Sequence, residues 1–217
     1  MKSLPTKASE QGRPVTAADF YEAGRAALSL TLIAGGKNLD RVIEEPIANR
    51  PGLALAGFYE HFAWKRLQLL GTAEKAYLDS LPADVRRARF QALIDRRAFC
   101  FVFANGQRPS PVEVAFAETA NAVLMATPMA TRHFVHNSAF VFERLSAPTA
   151  SIYGTMVEVC GLGVLFEGDP GLGKSETALG LVKRGHALVA DDLTCVRREI
   201  GNNLIYGSAS DSTAGYM

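Results

Sequence analysis

The sequence predicts an α/β protein in two domains, from three observations. Short apolar runs alternate with helical stretches over roughly the first 145 residues, the pattern of a sheet flanked by helices. A proline among small residues, Ser146 to Thr149, then breaks that alternation. Beyond it come an apolar strand, a glycine-rich loop and a helix, the order that brings an anion to a helix N-terminus. The boundary is drawn between residues 147 and 148, giving domains of 1–147 and 148–217.

The first domain reads as follows. Met1 to Val15 is a loose leader, and Thr16 suits the N-cap of a helix, Ala17 to Ser29, because its hydroxyl can accept from a first-turn amide. Leu30 to Ala34 is a strand ended by Gly35-Gly36, and a loop-rich stretch follows around Pro46 and Arg50-Pro51-Gly52. Leu67 to Leu70 is a strand. Thr72 caps a helix to about Leu81, and Pro82 divides it from an arginine-rich helix ending near Arg97. Ala98 to Ala104 is apolar throughout, as a strand buried on both faces should be. Asn105-Gly106 turns the chain, Pro111 opens a helix to about Asn121, Val123 to Ala126 is a second buried strand, and Thr131 to Leu145 is helical.

In the second domain, Val157 to Val159 and Val164 to Phe166 are strands joined through Gly161 and Gly163. Glu176 to Arg184 is a helix whose apolar face is Ala178, Leu179, Leu181 and Val182, with Gly185 as its stop. Ala187 to Ala190 is a short buried strand.

Composition narrows the function classes. The hydrophobic share of 48% is enough for a buried core, and a formal net charge of +1 argues against a nucleic-acid or membrane-surface binder. The three cysteines, Cys100, Cys160 and Cys195, have no zinc or disulfide spacing. Cys100 and Cys160 lie in apolar runs and are expected to be buried free thiols, which suits a reducing cytoplasm. Met1 to Pro14 has no apolar centre of a secretory signal, and no apolar run approaches the ~20 residues that span a bilayer. A cytoplasmic protein is expected.

Gly168-Asp169-Pro170-Gly171-Leu172-Gly173-Lys174-Ser175 carries the chemistry. Its glycines allow tight turns that point successive amides at phosphate oxygens. Lys174 adds a mobile positive charge, and the Ser175 hydroxyl is a hard oxygen ligand suited to Mg²⁺. A glycine turn with an exposed lysine is the plainer alternative. Asp191-Asp192 ends the strand at Ala190. Carboxylates placed so beside a phosphate loop hold magnesium through water or orient the nucleophile. Since side chains alternate along a strand, one faces the phosphates and the other turns away, and the sequence leaves open which.

The run from Val159 to Asp192 (VCGLGVLFEGDPGLGKSETALGLVKRGHALVADD) closely resembles the HPr kinase/phosphorylase family. Asn38-Leu39-Asp40-Arg41, Asn49-Arg50-Pro51-Gly52-Leu53-Ala54-Leu55, Leu69-Leu70-Gly71-Thr72 and Leu145-Ser146-Ala147-Pro148-Thr149 resemble that family's N-terminal domain and linker. The resemblance implies a P-loop kinase domain related to phosphoenolpyruvate carboxykinase behind the N-terminal α/β domain. It implies ATP- or pyrophosphate-dependent phosphorylation of a serine on the phosphocarrier protein HPr, and reversal by phosphate. It further implies Mg²⁺ and assembly as a homo-oligomer, a hexamer in the family. Carried over by residue, Gly168 to Ser175 bind nucleotide, Lys174 stabilises the transferring group, Ser175 ligates Mg²⁺ and Asp192 handles the serine proton.

Two features depart from the family. Tyr153 stands where it usually has a histidine, and a phenol can bond to phosphate without an imidazole's titration near neutrality. The chain also ends at Met217, where the family continues into a Glu-Ile-Arg-Gly-Leu-Gly stretch bearing a Mg²⁺-binding glutamate. The expectation is therefore a kinase domain incomplete at its C-terminus, with a nucleotide- or phosphate-sensing module lacking catalysis as the alternative. Elsewhere, His133 and His136 share a helix face without carboxylate partners, and Arg86, Arg87, Arg89, Arg96 and Arg97 are expected to line a solvated helix face.

Overall fold

The computed structural model describes residues 13–199 and 204–209. It divides into a unit running from Pro14 to Ser146 and a second opening at Ala147.

In chain order the first unit holds β1 (Val15–Thr16), α1 (Ala17–Ala27), β2 (Thr31–Ala34), β3 (Val42–Ile43), β4 (Ala48–Asn49), α2 (Gly52–Ala56), β5 (Leu67–Leu70), α3 (Thr72–Ser80), α4 (Ala83–Asp95), β6 (Cys100–Phe103), α5 (Pro111–Thr119), β7 (Val123–Ala126) and α6 (Thr131–Ser146). Its main sheet has the order β2-β7-β6-β5-β4. β4 to β7 pair in parallel, and β2 closes one edge antiparallel to β7.

Strand alternation explains why β6 is apolar at every position. Cys100 and Val102 enter one core with Leu67, Leu69 and Met125, while Phe101 and Phe103 enter the other with Leu70 and Leu124. α1 and α6 cover the first core, where Phe20 stacks on Phe142 at 4.4 Å and meets Phe134 edge-on at 6.4 Å. On the other face Phe90 of α4 lies 4.8 Å from Phe101.

Helix starts follow from local chemistry. Thr16 and Asp19 form a reciprocal cap, with Asp19 N–H donating to the Thr16 hydroxyl at 3.1 Å and Thr16 N–H to the Asp19 carboxylate at 3.0 Å. Ser110 and Glu113 repeat it ahead of Pro111. The expected Thr72 cap is corrected: Gly71 is the N-cap and Thr72 is already helical. The Thr72 hydroxyl accepts from Asn105 at 3.0 Å, and the buried Glu74 carboxylate takes the Gly71 amide at 3.0 Å. Glu74 also receives both the Nε and an Nη of Arg50 at 3.0 Å, which ties the Arg50-Pro51-Gly52 segment to α3.

Other expectations for this unit change in detail. Val15, placed in the leader by sequence, is buried and pairs with Ile43. The loop-rich stretch contains β3, β4 and α2, too short to leave a periodic signal. Of the arginines on and just after α4, Arg87, Arg96 and Arg97 are exposed as expected and Arg86 and Arg89 are half-buried; Arg96 still lies 3.5 Å from the Tyr59 ring centroid, and Arg86 meets Asp79 at 3.3 Å.

The second unit holds β8 (Thr149–Tyr153), β9 (Thr155–Val159), β10 (Leu162–Phe166), α7 (Lys174–Val182), β11 (Ala187–Ala190), β12 (Leu193–Arg198) and β13 (Ile205–Ala209). They form two antiparallel three-stranded sheets, β10-β9-β11 and β13-β12-β8. Thr149 opens β8 and is not part of a linker, and this alternating, half-exposed strand left no apolar run to read. The hairpin turn is Cys160-Gly161, with φ of 52° and 81°, and Gly163 lies within β10.

Three burial expectations are overturned here. Cys160 is exposed because it occupies the turn of a hairpin. α7 starts at Lys174 and buries only Ala178, while Leu179 and Val182 stay exposed. β11 buries only Ala190, since it pairs with β9 alone and forms a sheet edge. No helix among the described residues is long and apolar enough to cross a membrane.

The thiols diverge sharply. Burial pushes Cys100 up to about 12, partly offset by the positive charge of Arg41. The unfolded chain ionises this thiol from about 9.0 and the folded one does not. Its contribution to stability is therefore complete below pH 9 and declines as pH rises toward 12, by at most about 1.4 kcal/mol per pH unit. Urea unfolding at pH 8 and pH 10.5 should show a loss that Cys100→Ala reduces. At pH 8 a thiol reagent should label Cys160 in the native protein and spare Cys100 until urea is added; equal labelling of both would contradict the burial.

Candidate functional site

β10 and β11 both run antiparallel to β9, so their carboxyl ends lie at the same end of the sheet. The register puts Phe166 opposite Thr155 and Ala190 opposite Met156. The chain leaving β10 forms the glycine loop, and the chain leaving β11 forms Asp191-Asp192. Loops at strand carboxyl ends are where α/β folds place ligands.

The loop conformation explains its glycines. Gly171 and Gly173 have φ of 88° and 80°, values that a Cβ disfavours, and Gly173 is the left-handed N-cap of α7. The cap uses no side chain, which leaves the first amides of α7 at the mouth of the loop. Lys174 Nζ donates to the carbonyls of Gly168 at 2.8 Å and Asp169 at 3.1 Å, so the ammonium closes over the loop. Leu172 is exposed at the tip, and Ser175 is exposed in the first helical turn.

The two aspartates, both beyond the end of β11, differ in their bonding. The Asp191 carboxylate accepts the Thr155 hydroxyl at 2.8 Å and the Asp192 amide at 3.1 Å. Asp192 has φ of 61° and is exposed, with no side-chain hydrogen bond among the described residues. Its backbone is fixed from both sides: Gly154 N–H donates to Asp192 O at 2.9 Å, and the Thr194 hydroxyl donates to Gly154 O at 2.9 Å.

Those bonds bring Tyr153 into the same neighbourhood. It pairs with Leu193 and is 72% exposed. Gly154 allows the approach, since a Cβ there would stand 2.7 Å from the Phe166 carbonyl at the end of β10. The Tyr153-Gly154 segment therefore touches both the strand that leads into the loop and the segment carrying Asp192. Sequence reasoning missed Thr155 and Thr194, which hold this corner together; single threonines in strands give no signal until the register is known.

The description "HPr Serine kinase N terminus" matches residues 15–140, and "HPr Serine kinase C-terminal domain" matches residues 144–217. The chain belongs to the HPr serine kinase family. HPr kinase/phosphorylase of Peptoclostridium acidaminophilum is 38% identical over 184 residues, covering 85% of this chain and 59% of that protein. HPr kinase/phosphorylase of Leptospira biflexa is 37% identical over 190 residues, covering 88% of this chain and 59% of that protein. The chain thus spans about three fifths of the length of these HPr kinase relatives. Among solved structures, the CBS and DRTGG domains of the Clostridium perfringens pyrophosphatase regulatory region match at a TM-score of 0.40 and 14% identity, over 60% of this chain and 49% of that one.

Proposed function

We propose that this chain forms the N-terminal domain and the nucleotide-binding part of an HPr kinase/phosphorylase. In this reading the enzyme transfers a phosphoryl group from ATP or pyrophosphate to a serine of HPr. It reverses the transfer with inorganic phosphate, in the cytoplasm and as a homo-oligomer. The second unit is then a P-loop kinase domain related to phosphoenolpyruvate carboxykinase. The observation that carries the proposal is the meeting of the Gly168–Ser175 loop and Asp192 at one end of one sheet.

The geometry supports the following roles. Backbone amides of the loop and of the first turn of α7 hold the phosphates. Lys174 exchanges its two carbonyl partners for phosphate oxygens and carries charge that builds up on the transferring group. The exposed Ser175 hydroxyl, a hard oxygen beside the lysine, fits Mg²⁺, which supplies charge neutralisation when bound. Asp192, without a side-chain partner among the described residues, accepts the proton of the HPr serine as its oxygen attacks the terminal phosphorus and the bond to the leaving phosphate breaks. In reverse, a phosphate oxygen attacks phosphoserine and Asp192 returns the proton to the departing serine oxygen, giving pyrophosphate. Asp191 positions Asp192 by holding its amide and Thr155. Tyr153 is near enough to this corner to hydrogen-bond a phosphate.

The test is phosphoryl transfer. The natural product of this reading frame, given labelled ATP, magnesium and HPr, should label the serine of HPr, and phosphate should release that label as pyrophosphate. ATP binding without any transfer would instead support a phosphate-sensing module.

A further inference from the structure

A cavity of about 310 Å³ opens in the first unit. Trp64, Phe99, Arg41, Lys65, Arg97 and Glu44 are among its walls. Two aromatic rings there lie against cations, two on Trp64 and one on Phe99. The Trp64 ring has Lys65 Nζ at 5.4 Å and the Arg97 guanidinium at 5.6 Å from its centroid, and the Phe99 ring has the Arg41 guanidinium at 4.0 Å.

Arg97 reaches this position through an unusual backbone. It follows α4 with φ of 72°, its amide donating to Ile94 O at 2.8 Å, a conformation that non-glycine residues seldom adopt. The charges are unbalanced. Glu44 pairs with Lys65 at 3.1 Å, whereas Arg41 and Arg97 have no carboxylate within salt-bridge distance among the described residues. Arg41 gives one N–H to Asn121 O at 2.7 Å and keeps others. A guanidinium stacked on a ring presents its remaining donors in its own plane, the geometry that accepts phosphate oxygens.

We propose that this cavity binds a small phosphate monoester, with Arg97 and Arg41 on the phosphate and the Trp64–Phe99 side on an apolar or aromatic body. Three cations against one carboxylate among the lining residues leave an excess of positive charge, with Asp40 beside Arg41, and that excess suits a monoester dianion at neutral pH. The volume lies at the lower end of small-ligand sites. The site rests on the first unit alone and stands apart from the kinase assignment.

Trp64 is the protein's single tryptophan, so it reports on the cavity directly. The probe is phenyl phosphate, titrated at low salt with excitation restricted to tryptophan and binding confirmed by saturation-transfer NMR. A saturable change in Trp64 emission is expected, weakened about tenfold by Arg97→Gln and reduced by added salt. Phenol should produce neither the emission change nor transfer. Inorganic phosphate alone should bind more weakly, because it lacks the body. Arg97 is exposed, so Arg97→Gln should keep the wild-type melting temperature; Arg41→Gln is the second variant if it does not. Lys174→Ala should leave the response intact. The proposal is overturned if neither readout detects binding, if a folded Arg97→Gln or Arg41→Gln variant binds like wild type, or if Lys174→Ala abolishes the response, which would place the anion on the Gly168–Ser175 loop.

Discussion

Lys174→Ala is expected to lower phosphoryl transfer to HPr serine, and its phosphorolytic reversal, by about 10²–10³-fold each. The effect is symmetric because both directions pass through one transition state, in which the same oxygens carry the charge that Lys174 meets. Removing the ammonium also frees the carbonyls of Gly168 and Asp169, but both are exposed and can turn to water, so fold stability should change little. The check is initial-rate transfer in both directions, with melting temperature as control. Transfer at the wild-type rate would remove Lys174 from the mechanism.

Asp192→Asn is the second large effect, a fall of about 10²–10⁴-fold, the range of a positioned general base. The amide keeps the size of the carboxylate but cannot take the serine proton, and ATP binding should survive. Asp191→Asn makes the discriminating partner. Asp191 accepts from Thr155 and from the Asp192 amide, so its loss should lower the melting temperature more than Asp192→Asn does. Binding measured beside turnover separates the two. If Asp191→Asn lost turnover in a stable protein and Asp192→Asn kept it, the roles of the neighbours would have to be exchanged.

The parts legible in sequence were those fixed by local chemistry. The continuous apolar runs of β6 and β7 announced strands buried on both faces. Thr16 announced α1, and Gly168 to Ser175 announced a turn leading into a helix. What escaped was set by distant partners. Thr72 stands inside the helix behind the Gly71 N-cap, and its hydroxyl accepts from Asn105, 33 residues away. β8 is held by pairing with β12, about 40 residues on, and carries no apolar signature of its own. Cys160 sits among apolar neighbours in sequence, yet the two-residue turn places it outside. In the candidate site, which aspartate bonds to the rest of the fold was not readable. It depends on Thr155, and Thr155 meets Asp191 only through the register of β9 with β11.

The proposed phosphate grip of the Gly168–Ser175 loop underlies every proposed catalytic role, and calorimetric titration of this 217-residue chain with ATP and magnesium tests it most directly. The account predicts saturable one-to-one binding that pyrophosphate displaces and Lys174→Ala weakens by about tenfold or more. A folded protein that takes up neither ATP nor pyrophosphate, or that binds both equally well without Lys174, would contradict it.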